Sequence, residues 1–415
     1  MCRVFVFSYR DCLGPVGGGR GVTYKLYLAN RKYKRIENTT YVFKDCSFSD
    51  NDTPVLDNKK GAKQSTYKKQ MSKAINSGGI VTILKTEFKL AKAKKWIRET
   101  DQRYRFRDED VFLFQDFESA YAFLSLYNFK NTSLIYHQQG SLYNEWFSFT
   151  GVKSEKYRKY LNKRFSWVVE NVGVLGFPSY GAMSCLTESE PDLMECISNK
   201  KEVSILYNGF SADDEDLKMS ESVKDAIEKV RAFSGMKFAT VSALNEAKGV
   251  ERIPEYLSVV KKQYGDLIWI LIGNGIKSNE VKENIKRFGL QDNVIWIDVA
   301  VPHDDILSVF QSTDFYIMFH RYSIFDYATI EAMAYGNIPI LSCVGGNKEV
   351  IVNDNGCFVT DFADVSELHD LLSRNTVSEL KNRNRQLQLE RFSEKAFLEY
   401  YYKMIEEKFI SRREN

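Results

Sequence analysis

Apolar and polar positions fall into a repeating pattern in the second half of the chain. KFATVSA (237–243), DLIWILIG (266–273), NVIWIDVA (293–300), FYIMFH (315–320) and IPILSC (338–343) are short runs that are apolar at nearly every position. Between them lie segments with apolar residues at helical spacing. In KGVERIPEYLSVVKKQYG, Ile253, Leu257 and Val260 share one face, and Pro254 falls in the first turn, where it is tolerated. KSNEVKENIKRFG, HDDILSVFQSTD and a stretch from Asp326 to Gly336 read as helices in the same way. Strands without clean alternation, each followed by an amphipathic helix, predict a parallel sheet covered on both faces.

The first half repeats the pattern less regularly. RVFVFSY is a strand and GVTYKLYLANR a helix; TYVFKD, IVTILKTE, DVFLFQD and TSLIYHQQG are strand candidates, and WVVENVGVLGFPS closes the domain with a buried strand. SEKAFLEYYYKMIEEKF is a last helix, opening at a serine suited to capping. The expected fold class is α/β, with two doubly wound, Rossmann-like domains facing each other across a cleft. The expected boundaries are 1–202, 203–391 and a terminal helix, 392–415, packing back on the body.

A length of 415 residues agrees with two domains. A net charge of +3 is too small to imply a nucleic-acid partner. Seven scattered cysteines form no CxxC and fit a reducing compartment. MCRVFVFSYRD reads as a first strand and not a signal peptide. No apolar run reaches the roughly 18 residues a membrane span needs. The expected location is therefore cytoplasmic. His137, His303, His320 and His369 have no partner at metal-ligand spacing, so no metal and no cofactor is expected. One segment departs from the even mixing of charge. From Lys59 to Arg107 there are fifteen Lys and Arg against three Asp and Glu. This is either a solvated helix face or a surface for anionic phosphates, on a membrane leaflet or a phospholipid-linked substrate.

In doubly wound sheets ligands bind beyond the carboxyl ends of the strands. The loops there are 14–22, 137–141, 207–211, 242–249, 273–275, 320–327 and 342–349, and several offer glycine-rich backbone or a lysine, which suits phosphate. Gly17, Gly18, Gly19 and Gly21 do not make the dinucleotide pattern GxGxxG, since the last position is Val22 counted from Gly17 and Tyr24 counted from Gly19. Glu331 is a lone carboxylate in a helix of small and apolar residues. It either turns to solvent or accepts two hydrogen bonds from a sugar or ribose hydroxyl pair.

KFATVSALNEAKGVERIPEYL, LIWILIGNG and the run from VIWIDVA to NDNGCFV together resemble the nucleotide-binding half of a GT-B fold retaining glycosyltransferase, and more narrowly the family-four group. EAMAYGNIPIL followed by GGNKEVI is the most specific part. VSILYNGFS, with Asn208-Gly209, resembles the family's domain junction; GGGRG and YHQQGS stand where it has a glycine-rich loop and a His-bearing strand end. The resemblance implies donor contacts from Gly18, Gly19 and Arg20, from Asn245, Lys248 and Gly273, and from Arg321, Ser323, Ile324, Phe325 and Glu331. It implies catalytic positions at His137, near the anomeric carbon, and at Glu331 and Asp326; the other reading of His137 is a structural residue at a strand end.

Three positions depart from the family's pattern. Ala243 stands where the family has an arginine, Ser323 where it has the first of two glutamates, and Asp326 where it has a glycine. Asp326 is expected either to cap the helix, taking donors a diphosphate would use, or to replace the missing glutamate on the sugar. Arg321, His320 or Lys348 would then neutralise the phosphates. The implied function is a metal-independent transfer of a sugar from a nucleotide-diphosphate donor, uridine by default, to a glycan or lipid-linked acceptor. The setting would be surface polysaccharide or glycoconjugate synthesis, with the protein cytoplasmic and peripheral to the inner membrane face. The alternative is a non-catalytic protein of the same fold that binds glycan or stabilises a partner transferase.

Overall fold

A computed structural model describes residues 2–12, 21–52, 54, 80–138, 140–212 and 217–411. The chain divides into two compact units, Met1–Asn208 with Phe397–Asn415, and Gly209–Ala396.

The first unit runs β1 (Val4–Ser8), α1 (Val22–Tyr33), β2 (Thr39–Phe43), β3 (Ser47–Ser49), α2 (Ile80–Tyr104), β4 (Val111–Phe114), α3 (Phe117–Leu124), β5 (Thr132–Ile135), α4 (Leu142–Thr150), α5 (Glu155–Asn171), β6 (Val174–Phe177), α6 (Tyr180–Ser189), α7 (Pro191–Ser198) and β7 (Val203–Ile205). The sheet order is β3-β2-β1-β4-β5-β6-β7, parallel except for the short edge strand β3. β1, β4, β5 and β6 are buried at every position, which is why their sequences do not alternate. Phe5, Phe7, Phe112, Phe114 and Phe123 fill this core with stacked and tilted rings.

The second unit runs α8 (Glu221–Ala232), β8 (Met236–Val241), α9 (Ile253–Tyr264), β9 (Leu267–Ile272), α10 (Ser278–Arg287), β10 (Val294–Ile297), α11 (His303–Ser312), β11 (Phe315–Met318), α12 (Tyr327–Ala334), β12 (Ile338–Ser342), α13 (Asn347–Val350), β13 (Cys357–Val359), α14 (Ser366–Arg374) and α15 (Val377–Arg391). Its order is β10-β9-β8-β11-β12-β13, all parallel. α16 (Glu394–Ile405) leaves this unit and packs on the first. There Arg35 pairs with Glu399 and lies 3.4 Å from the Tyr402 ring centre, and the Tyr401 hydroxyl reaches Gln115.

Three expectations change. IVTILKTE is the opening of helix α2 and not a strand. Its β-branched residues read as strand locally, but Thr82, Leu90, Ala93, Ile97 and Thr100 form one buried face along the helix. WVVEN is the end of α5, and only Val174–Phe177 of that stretch is a strand. The expected boundary puts Val203–Ile205 at the start of the second domain, yet it pairs with β6 as the last strand of the first sheet. Three residues carry too little pattern to reveal which sheet they join. The expected loop with Gly18, Gly19 and Arg20, and the basic residues 59–79, lie outside the described residues.

Candidate functional site

Strand order reverses between β1 and β4 in one sheet and between β8 and β11 in the other. At such a switch point the loops diverge to opposite faces and leave a crevice at the carboxyl edge. Each unit places polar side chains there.

In the second unit, glycines weld the loops together. Gly249 (φ +62) follows the loop after β8; a Cβ there would lie 1.9 Å from the Phe319 carbonyl at the end of β11. Gly273 (φ +137) would bring a Cβ to 1.8 Å from the Ser242 carbonyl. Gly345 (φ +47) would meet the Ser323 carbonyl at 1.9 Å, and Gly346 donates its N–H to that same oxygen. Only residues without a Cβ allow these loops to approach so closely at positive φ.

Lys248 ends a 3-10 turn, Glu246–Lys248, capped by the Asn245 side chain. Its Nζ donates to Asp326 Oδ1 at 2.8 Å and lies 3.5 Å from His320 Nε2. Asp326 Oδ2 accepts from the Tyr316 hydroxyl at 3.1 Å and from Thr329 Oγ1 at 3.4 Å. Asp326 stands at the N-cap of α12 but makes no capping bond with its side chain. The capping expectation is therefore corrected: its oxygens are spent on Lys248, Tyr316 and Thr329, with Thr329 reached through its hydroxyl. Burial alone would raise the Asp326 carboxyl, but the Lys248 charge, His320 and the bonds from Lys248 and Tyr316 outweigh it and hold it at about 2.

His320 is buried, and desolvation reinforced by the Lys248 charge lowers it to about 3, against the pull of Asp326. It is neutral at physiological pH and cannot neutralise a phosphate, contrary to one expectation. Arg321 is committed elsewhere as well. It pairs with Glu251 at 2.6 Å and with Glu246 at 3.2 Å, and its Nη1 donates to the Glu246 carbonyl. Lys348 is exposed on α13. Ala243 is exposed and supplies no cation.

Ser323 is 4% exposed and its hydroxyl has no hydrogen-bond partner. Its neighbour Ile324 is half-buried, and Phe325 packs edge-on against Phe392. Glu331 is buried and does not turn to solvent. Its Oε1 accepts from His303 Nε2 at 3.1 Å, from a side chain about half exposed at the start of α11. In the sequence His303 stands out only as a histidine without metal spacing. Nothing periodic links positions 303 and 331; the packing of α11 on α12 brings them together.

In the first unit His137 follows β5, and its Nε2 lies 2.8 Å from Gln115 Oε1, just beyond β4. An amide oxygen only accepts, so Nε2 carries the proton and Nδ1 keeps its lone pair. Nδ1 is buried without a partner, as are Gln115 Nε2 and Gln138 Oε1. Burial, with Arg10 as the second cause, lowers His137 to about 3. Asp116 joins the edges of β1 and β4, accepting from Tyr9 N and Ser8 Oγ while capping α3 through Ser119 N. The sequence marks Gln138 only as a member of the 137–141 loop and gives no signal for Gln115, because a glutamine beside a strand is not distinguished by pattern.

Among the described residues no group of three or more His, Cys, Asp or Glu side chains is arranged to hold a metal ion. None of the described helices is long and apolar enough to cross a membrane.

Residues 224–391 match the model of the family described as glycosyl transferases group 1. Mannosylfructose-phosphate synthase of Agrobacterium fabrum is 23% identical over 155 residues, 35% of this chain and 34% of that protein. The gpi3 component of the phosphatidylinositol N-acetylglucosaminyltransferase of Schizosaccharomyces pombe is 24% identical over 162 residues, 39% of this chain and 33% of that protein. The matched stretches thus span about a third of the length of these curated relatives. HepE of Anabaena in complex with UDP superposes with a TM-score of 0.61 at 15% identity, covering 98% of this chain and 100% of that one. Sucrose-phosphate synthase from Thermosynechococcus elongatus gives 0.62 at 15% identity, covering 99% and 100%. At such identity the likeness establishes the fold, two parallel-sheet Rossmann-like domains of the GT-B type.

Proposed function

We propose that this chain, whose residues 224–391 match the model of glycosyl transferases group 1, transfers a sugar from a nucleotide-diphosphate donor to a glycan or lipid-linked acceptor, with retention of configuration. Uridine diphosphate is the donor nucleotide of this reading; a structural relative, HepE, was solved with UDP. The observation that carries the proposal is the layer of glycine-welded loops at the β8/β11 switch point, with Lys248 and the unspent Ser323 hydroxyl in it. Lys248 would stabilise the charge that develops on the leaving diphosphate, so the reading requires no metal. Glu331, held by His303, would accept from a hydroxyl pair of the donor, and Ser323 from a sugar hydroxyl. On the acceptor side the proposal keeps His137, neutral and with a free lone pair on Nδ1. Glycan assembly at the cell's inner membrane face is part of the same reading.

The test is a thermal-shift screen of nucleotide sugars, because a ligand that binds only the folded state raises the melting temperature. A shift with one nucleotide class, lost in Lys248→Ala and Glu331→Ala, is the expected result. A shift unchanged in both variants would remove these residues from the site.

One specific observation favours a second reading, a non-catalytic protein that binds glycan or stabilises a partner transferase. Lys248 and Arg321 are both paired with carboxylates, and His320 is neutral. Calorimetry separates the two: failure to bind any nucleoside diphosphate supports the second.

A further inference from the structure

Helix α2 carries two apolar faces. One, with Leu90, Ala93 and Ile97, is buried against the first unit, where α2 packs on α3 and α5. The other is open. Ile80, Leu84 and Phe88 recur at every fourth position and are 57%, 63% and 64% exposed. Scattered exposed apolar residues are ordinary, but a stripe on consecutive turns is a continuous surface. The fold already buries the opposite face, so this stripe contributes nothing to the core.

Its borders are mainly basic, and the nearest acid, Glu87, is paired with Arg164 of α5. Lys85 and Lys92 are exposed on the same helix, and Lys92 Nζ lies 4.4 Å from the centre of the Phe88 ring. On the neighbouring α5, Lys156 and Lys163 are exposed two turns apart. Trp146 and Phe147 of α4 lie half-buried in a small aromatic cluster that also takes Ile83 of α2. α4 opens just beyond β5 and His137, at the carboxyl edge of the first sheet, and α5 packs on both α4 and α2.

We infer that this face docks on an anionic lipid bilayer. An amphipathic helix lies in the interface with its apolar stripe in the acyl boundary and lysines at headgroup level, and large aromatic side chains favour the same depth. Lysines on both borders select a negatively charged surface. The inference does not depend on the transferase reading; joined to it, the surface favours an acceptor anchored in the same leaflet.

The test is cosedimentation of the full chain with vesicles of phosphatidylcholine alone and of phosphatidylcholine with phosphatidylglycerol. Binding is expected only with the anionic vesicles and should fall steeply as salt rises. The double substitution Leu84→Ser, Phe88→Ser should abolish it, and Lys85→Glu, Lys92→Glu should lower the partition by at least about tenfold, from roughly fivefold per lysine. Melting temperature and nucleotide-induced shift should be unchanged in both variants, because these side chains are exposed. Equal partition to both vesicle types, or full binding by the serine variant, would overturn the inference. So would a dimer in wild type that dissociates in the serine variant without any vesicle binding, since the stripe would then face a second copy.

Discussion

Lys248 Nζ and Asp326 Oδ1 lie 2.8 Å apart at the switch point of the second sheet. The cation best placed for a donor diphosphate is thus already paired with an acid, at the position where the family that the sequence resembles has glycine. A diphosphate must compete with that carboxylate for Lys248.

Removing the acid should therefore strengthen nucleotide binding. In Asp326→Asn, affinity for the preferred nucleoside diphosphate should rise about tenfold, the scale of one charge-assisted hydrogen bond. Lys248→Ala should abolish binding and lower stability as well, because it leaves the largely shielded Asp326 carboxylate without its counter-ion. Calorimetry and thermal melts of both variants check this pair of outcomes.

The same pair sets an acid limit. The Asp326 carboxyl is held at about 2 against an ordinary value of 3.8, so it binds its proton more weakly folded than unfolded. Its stabilisation is complete above about 4 and is lost as pH falls toward 2; it is on the order of 2 kcal/mol. The difference in melting temperature between wild type and Asp326→Asn should shrink across that window. A constant difference would mean that the pair does not supply it.

His137 and His320 act higher on the pH scale. Both are held at about 3 against 6.5, mainly by burial. Between those values the unfolded chain takes up protons that the folded chain refuses, so stability falls as pH drops below about 6.5. His320→Asn should roughly halve the slope of the profile between pH 6.5 and 3, the rest coming from His137. The measurement is a series of thermal melts from neutral to acid pH.

Ser323 separates stability from binding. Its hydroxyl is buried and unpartnered, so Ser323→Ala should leave the melting temperature of the free protein unchanged or slightly higher. If the hydroxyl serves a donor sugar, the same change should weaken binding of the nucleotide sugar by about tenfold while leaving the bare nucleotide unaffected. Paired titrations of the two ligands read this directly.

Gly345→Ala should damage the site through the backbone. A Cβ at 1.9 Å from the Ser323 carbonyl, at φ +47, forces the two loops apart. The expected loss is at least about 1–3 kcal/mol of stability, together with loss of any nucleotide-induced shift. Retained binding in a destabilised variant would show that the donor does not need this register.

The sequence by itself determined the alternation of buried strands and amphipathic helices, because strands covered on both faces must be apolar throughout. It also marked the loops of the second unit, where glycine, lysine and the Glu331 helix follow strand ends. IVTILKTE misleads because β-branched residues favour a strand locally, and only the burial of a helical face along α2 outweighs them. Tertiary structure alone decided that Asp326 serves Lys248 and Tyr316 instead of the helix end, that His303 holds Glu331, and that His320 is neutral. Those outcomes depend on distances between side chains from different strands and on the loss of water around them, and neither quantity is written in the order of residues along one chain.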